Sequence, residues 1–342
     1  MFESATLASG WQGQQRSVWP CERGTGSSHW STTANRSHSG FGSIKQGLPQ
    51  TPIVQTRRCG SRLPDVLAGT FAWGTACVIV GMFLWLLAGI VPRGVGELTW
   101  GFLTGVPENA GRSGGIGPII VSTAWILAVC MTVALPVGIG TAILLAEFAA
   151  SDGRLGRAVR RSLDVLAGVP SIVFGLFGSA LFCRYLGLGF SILSGGLTLA
   201  CMVLPILIRA TEDGFRSVPD EIRLGAAALG MSRMRTVFSL LLPAALPGLV
   251  AGFVLGVGRA VAETAALLFT SGYVDRMPES LFDSGRSLSV HIYDLSMNVP
   301  GGDSNASATA VLLIAALLVI YGTVAGITGR WKRSFGYLSG LL

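Results

Sequence analysis

The chain has 342 residues, half of them hydrophobic and only 13% charged, with a mean hydropathy of +0.59 and a formal net charge of +7. A water-soluble chain of this size needs far more charge to cover its surface, so the composition excludes an ordinary soluble domain and points to a membrane protein. Residues 1–63 are rich in Ser, Gly, Thr, Gln and Arg, lack apolar periodicity, and read as a disordered tail or a misassigned start. Trp11, Trp19 and Trp30 are candidates for a small binding motif there, but nothing in the segment can build a core.

Six apolar runs follow, near 71–91, 119–146, 163–182, 191–208, 246–270 and 307–328. Each approaches or exceeds the ~20 residues that cross a ~30 Å hydrocarbon core. Together they predict a membrane domain over 64–335, closed by a short C-terminal tail at 336–342. The first run follows Arg57, Arg58 and Arg62 in the order of a signal sequence, but its length and the lack of a small-x-small site favour an uncleaved helix. The second contains Pro136, which predicts a kink or tilt. The 47 glycines leave many helix faces bare, as close packing in lipid requires.

The charge is topological. Fifteen cations fall on one side: Arg57, Arg58, Arg62, Arg154, Arg157, Arg160, Arg161, Arg209, Arg216, Arg223, Arg233, Arg235, Arg330, Lys332 and Arg333. Five fall on the other: Arg93, Arg112, Arg184, Arg276 and Arg286. The positive-inside rule then puts both termini and the stretch 218–249 in the cytoplasm, and the basic balance is no nucleic-acid signal. The loops near 93–117 and 271–306 face outward. In the second, LSVHIYDL (288–295) predicts a short re-entrant or surface helix, with His291 a packing or surface residue.

The stretch 218–249 is the most informative. Asp220 and Glu221 open a helix-favouring segment, where carboxylates suit the positive end of the macrodipole. Ala226, Ala227, Ala228 and Leu229 favour helix, Gly230 permits a sharp turn, and Ser232 can cap a second helix running to Pro243. Two short helices about a glycine elbow make a knob for a soluble partner, and an ATPase is the expected one.

This knob resembles the coupling loop of ABC-importer permeases, patterned EAA, three residues, Gly, nine residues, I-x-L-P. Gly230, Leu240, Leu242 and Pro243 fall on that spacing, whereas Leu224 replaces the Glu and Gly225 the first Ala. AGVPSIVFGLFG (167–178), LPILIRATEDGFRSVP (204–219), GRAVAETAALLFTSGY (258–273) and SVHIYDLS (289–296) are similar to phosphate-specific ABC permeases, and the last two to their A-type (PstA) subunits. The resemblance covers about 65–335. It implies an all-α membrane protein of six transmembrane helices with the type I importer permease fold, in a bacterial inner membrane. It also implies a second, C-type permease subunit, a cytoplasmic ATPase dimer and an external phosphate-binding protein as partners. The ATPase contacts would come from Glu221, Ala226, Ala227, Gly230, Leu240 and Pro243.

In the fifth run, Gly248, Gly252, Gly256, Arg259 and Glu263 fall within about an 80° sector of one helix. An arginine within a membrane helix costs at least ~2.5–3.5 kcal/mol, so such residues are usually functional. The guanidinium offers a planar fork of donors suited to an oxyanion. Arg259 and Glu263 are therefore candidates for the substrate path, which the resemblance also implies; the alternative is that Glu263 only neutralises Arg259. Arg209 and Glu212 match the family's R-x-x-E and form a second candidate pair, or simply belong to the cytoplasmic arginine excess.

No GxxxxGK[ST] loop, GxSxG elbow or HExxH motif occurs in the sequence. The chain is thus not expected to be an enzyme or to bind a cofactor, and ATP is expected on the partner ATPase. The six cysteines form no CxxC pair and the three histidines are scattered, so no metal site is expected. A permease for sulfate or molybdate stays open on charge chemistry, and a passive anion channel or membrane enzyme has less support.

Overall fold

A computed structural model describes residues 62–149 and 153–339. The expected tail over 1–63 lies almost wholly outside the described residues. The protein is helical: α1 (Arg62–Val95), α2 (Trp100–Thr104), α3 (Gly117–Ile143), α4 (Arg154–Ala167), α5 (Ser171–Gly178), α6 (Ile192–Arg216), α7 (Asp220–Ala228), α8 (Arg233–Thr236), α9 (Leu242–Val261), α10 (Ala265–Leu268), α11 (Leu288–Met297) and α12 (Asp303–Ser339). Between α2 and α3 a two-residue ribbon pairs β1 (Pro107–Glu108) antiparallel to β2 (Ser113–Gly114).

Five helical stretches are long and apolar enough to cross a membrane, over 69–95, 117–148, 192–216, 233–261 and 303–329. A sixth crossing arises if the bent pair 154–167 and 171–185 counts as one. Helix α6 is the hub. It packs on α3, α9 and α5, and two thirds of its most apolar window is buried, against none for α1 and α12. Glycines let the hub form. A Cβ on Gly248 would run into the Cα of Gly214, one on Gly252 would meet Ala210 and Leu207, and one on Gly256 would meet Val203 at 2.8 Å. The backbones of α6 and α9 therefore touch with no side chain between them, as small residues allow in lipid. Around that contact Ile126, Cys130, Leu199, Val203, Leu207 and Ala260 close the core. Helices α1 and α12 stand outside it, paired at Gly94, whose Cβ position is 2.8 Å from a Val311 methyl.

Three expectations need correction. The third apolar run is not one helix: the chain turns by 102° at Gly168–Pro170, so Leu163 belongs to α4 and a separate helix begins at Ser171. Proline lacks an N–H, and the residue before it is pushed out of the helical region, which breaks the helix. The second knob helix does not stop at Pro243. It continues as one span over 233–261, through a π turn at Val237–Leu241 directly before that proline. The widened turn takes up the missing donor and the ring's steric demand. Finally, the fifth run does not stay helical to 270, because α9 ends at Val261 and α10 is a separate single turn.

The ends of the bundle differ. At one end, α4 and the α7–α8 elbow cover the ends of α3 and α6. At the other, α11 closes the bundle, with the Leu288 amide donating to Thr123 Oγ1 at 2.9 Å.

Candidate functional site: the elbow and the charged groups beneath it

Helix α7 carries Asp220 and Glu221 in its first turn. It ends in a Schellman motif: the Gly230 amide bonds the Ala227 carbonyl and the Met231 amide the Ala226 carbonyl, both at 3.0 Å. Gly230 has φ +67°, which closes this motif without a Cβ penalty. Ser232 then caps α8 by accepting the Arg235 amide. Ala226 is buried, pinning α7 to the bundle, while Glu221, Ala227 and Gly230 are exposed. Leu240 is at the edge of exposure and Pro243 half-buried. The outer surface of the elbow presents Leu224, Leu229 and Met234, 70%, 81% and 58% exposed. Beneath it, Phe215, Val218, Val237, Leu241 and Ala245 form a separate core cluster.

Arg223 fastens this elbow. Its guanidinium bonds both Glu147 carboxylate oxygens, at 2.7 and 3.3 Å, at the π-helical end of α3. It also donates to the carbonyls of Phe215 at 2.9 Å and Val218 at 2.8 Å, and to Asp220 at 3.1 Å. One side chain thus links α3, the end of α6 and α7. The Glu147 hydrogen bonds, above all, raise the Arg223 pKa further. No local pattern marks this pair, since its members are 76 residues apart.

Arg209 and Glu212 come together, but within a larger cluster. Glu212 is buried; its Oε1 accepts Arg160 Nε at 2.8 Å and faces Arg216 Nη2 at 2.9 Å. Arg209 lies 3.8 Å from Glu212 Oε2, but bonds Asp164 Oδ1 and the Arg160 carbonyl more closely. The R-x-x-E pair therefore tethers α4 to α6. Sequence reasoning counted Arg160 only as one of many cytoplasmic arginines and missed Asp164.

Arg259 and Glu263 are not an ion pair. Helix α9 stops between them, so the i,i+4 geometry of a continuous helix does not apply. Glu263 is buried, and its Oε1 accepts the Ala266 amide at 3.3 Å, capping α10. Its backbone carbonyl accepts Ser289 Oγ at 2.6 Å. Arg259 leans over α6, 4.0 Å from Met202 Sδ, and is otherwise exposed with no carboxylate partner in the described chain. The two candidates thus have different roles, an open cation and a buried cap.

At the far end, His291 is fully buried in α11, with Nδ1 3.3 Å from Arg286 Nη1. Arg286 also pairs with Asp294 at 3.1 Å and donates to the Tyr273 carbonyl. Burial, then the neighbouring Arg286 charge, lowers the His291 pKa to about 4.

A helical hub of membrane-crossing segments, with an exposed two-helix elbow at one end, defines the membrane component of a transport system. The chain belongs to the family described as binding-protein-dependent transport system inner membrane component, whose model matches residues 134–333. It is a multi-pass membrane permease and not an enzyme. It is 31% identical over 296 residues to the probable ABC transporter permease protein YqgI of Bacillus subtilis, covering 82% of this chain and 97% of that one. It is 32% identical over 297 residues to the phosphate transport system permease protein PstA 1 of Mycobacterium tuberculosis, covering 83% and 95%. PstC 1 of the same organism is 31% identical over 252 residues, covering 66% and 74%. Among solved structures, a bacterial ABC transporter that imports the acidic polysaccharide alginate shares the fold with a TM-score of 0.51 at 15% identity, covering 79% of this chain and 99% of that one.

Proposed function

We propose that this chain is the permease subunit of an ATP-driven importer for inorganic phosphate, lining the path together with a second permease of C type. The extensive similarity to a phosphate permease, covering 83% of the chain, carries the substrate. The second permease is supported by Arg259. Arg259 is exposed in the last turn of a membrane-crossing helix, where an unpaired guanidinium is unfavourable against lipid and favours a face turned to protein or to a watered path. A planar fork without a carboxylate partner suits transient contact with an oxyanion.

In this reading the elbow faces the cytoplasm, both termini lie on that side, and one ATPase of a dimer docks on Leu224, Leu229 and Met234. ATP binds to the ATPase and not to this chain. An external binding protein delivers phosphate at the α11 end. Closure of the ATPases moves the elbow, and Arg223 passes the displacement to α3 through Glu147. The assembled complex in vesicles should take up labelled phosphate on addition of ATP and binding protein, and tenfold excesses of sulfate or molybdate should not compete. Competition by either oxyanion would reassign the substrate; uptake without ATP would make the protein a channel.

A further inference from the structure

The surface of α4 has three arcs when its residues are set at 100° intervals. One arc holds Gly156 and Leu163, both buried, with half-buried Val159 beside them; Leu163 packs on Ala142, Leu145 and Ile208 at the ends of α3 and α6. The second arc is open and mainly apolar: Val165, Ala158, Leu155 and Leu166 are exposed, Leu155 at 73% and Val165 at 69%, and the Ser162 hydroxyl among them is turned onto the Ala158 carbonyl. The third holds the charged residues. Two of these pair with α6, Arg160 with Glu212 and Asp164, itself largely exposed, with Arg209. Arg154, Arg157 and Arg161 are exposed and make no ion pair among the described residues.

The orientation of α4 decides what the open arcs meet. It is bent by 102° from the 171–185 segment, so with that segment standing across the bilayer α4 runs nearly along the membrane plane. It is also held at the level where α3 and α6 end. A helix in that position, with an apolar arc beside a basic one, has the geometry of an interfacial helix. Charge complementarity selects the lipid, because unpaired arginines at headgroup depth attract anionic phosphates.

We propose that α4 is a binding surface for anionic phospholipid, with Leu155 and Leu166 among the acyl chains and Arg154, Arg157 and Arg161 on the phosphates. The lipid thereby fixes the platform whose inner face, through Arg160 and Arg209, is tied to the end of α6.

The test uses the purified full-length chain in detergent with equal phosphatidylcholine and phosphatidylglycerol, measuring the ratio of retained lipids by mass spectrometry. The wild type should be enriched in phosphatidylglycerol. In the combined Arg154→Gln, Arg157→Gln, Arg161→Gln variant the enrichment should fall at least about fivefold, the contribution of one near-surface cation. The corresponding triple lysine variant should retain it. Unchanged enrichment with glutamine, or equal loss with lysine and glutamine, would overturn the proposal. So would unchanged lipid retention with loss of ATPase co-purification, which would assign these arginines to the partner protein.

Discussion

Arg223 on the elbow and Glu147 at the end of α3 meet through two hydrogen bonds, at 2.7 and 3.3 Å, with most of both side chains withdrawn from solvent. The same guanidinium satisfies two carbonyls at the end of α6. An elbow that docks an ATPase is otherwise joined to the bundle by chain continuity, by Ala226 and by the apolar cluster around Phe215, Val218 and Val237, none of which reaches across to α3 with a charged bond. The pair makes it rigid with respect to α3.

Glu147→Gln should therefore uncouple the transporter. It removes a charge-assisted bond worth on the order of 2 kcal/mol and leaves the outer elbow surface intact. ATPase co-purification should persist while phosphate uptake per ATP hydrolysed falls at least severalfold. The exchange Glu147→Arg with Arg223→Glu should recover only part, because a carboxylate cannot donate to the Phe215 and Val218 carbonyls. Uptake per ATP at the wild-type level in Glu147→Gln would remove the pair from the coupling route.

Gly230 is constrained by conformation and not by space. A Cβ there meets nothing within 4 Å, but φ is +67°. Gly230→Val should disrupt the elbow and abolish ATPase co-purification while the chain still reaches the membrane. Gly230→Asn should retain binding, because asparagine tolerates the left-handed region at a cost of about 1 kcal/mol or less. Equal binding by both variants would show that the turn is not needed for docking.

Arg259 and Glu263 should separate in function. Arg259→Gln should stop phosphate uptake with little change in thermal stability, since the side chain makes no strong contact within the chain. Glu263→Gln should transport, because its amide oxygen can still accept the Ala266 N–H. Glu263→Ala removes the cap and should cost about 1 kcal/mol. Uptake assays and thermal unfolding of the assembled complex distinguish these outcomes; loss of uptake in Glu263→Gln would restore the carboxylate to the path.

His291 makes the α11 end acid-sensitive. Its pKa is about 4 in the folded protein against 6.5 for the free side chain, so the opened state binds more protons between these values. Stability is full above about pH 6.5 and declines as pH falls toward 4, by on the order of 3 kcal/mol in total. Amide exchange in α11 should accelerate at pH 5 relative to pH 7.5, and His291→Gln should remove most of that difference. An identical pH response in the variant would place the acid-sensitive group elsewhere.

The sequence by itself determined the class of this protein. Apolar runs of membrane-crossing length, the arginine bias and the spacing of Gly230, Leu240, Leu242 and Pro243 are one-dimensional signals, because lipid thickness and a helix–turn–helix depend on local order along the chain. It also located the elbow residues. The tertiary structure decided which charges meet. Arg223 finds Glu147 across 76 positions, Arg160 finds Glu212 across 52, and Glu263 turns from Arg259 to the Ala266 amide. The 102° bend at Gly168–Pro170 and the end of α9 at Val261 escaped the hydropathy reading for a related reason. Hydropathy averages over a window and registers that a segment is apolar, whereas a break depends on where individual backbone groups find their partners.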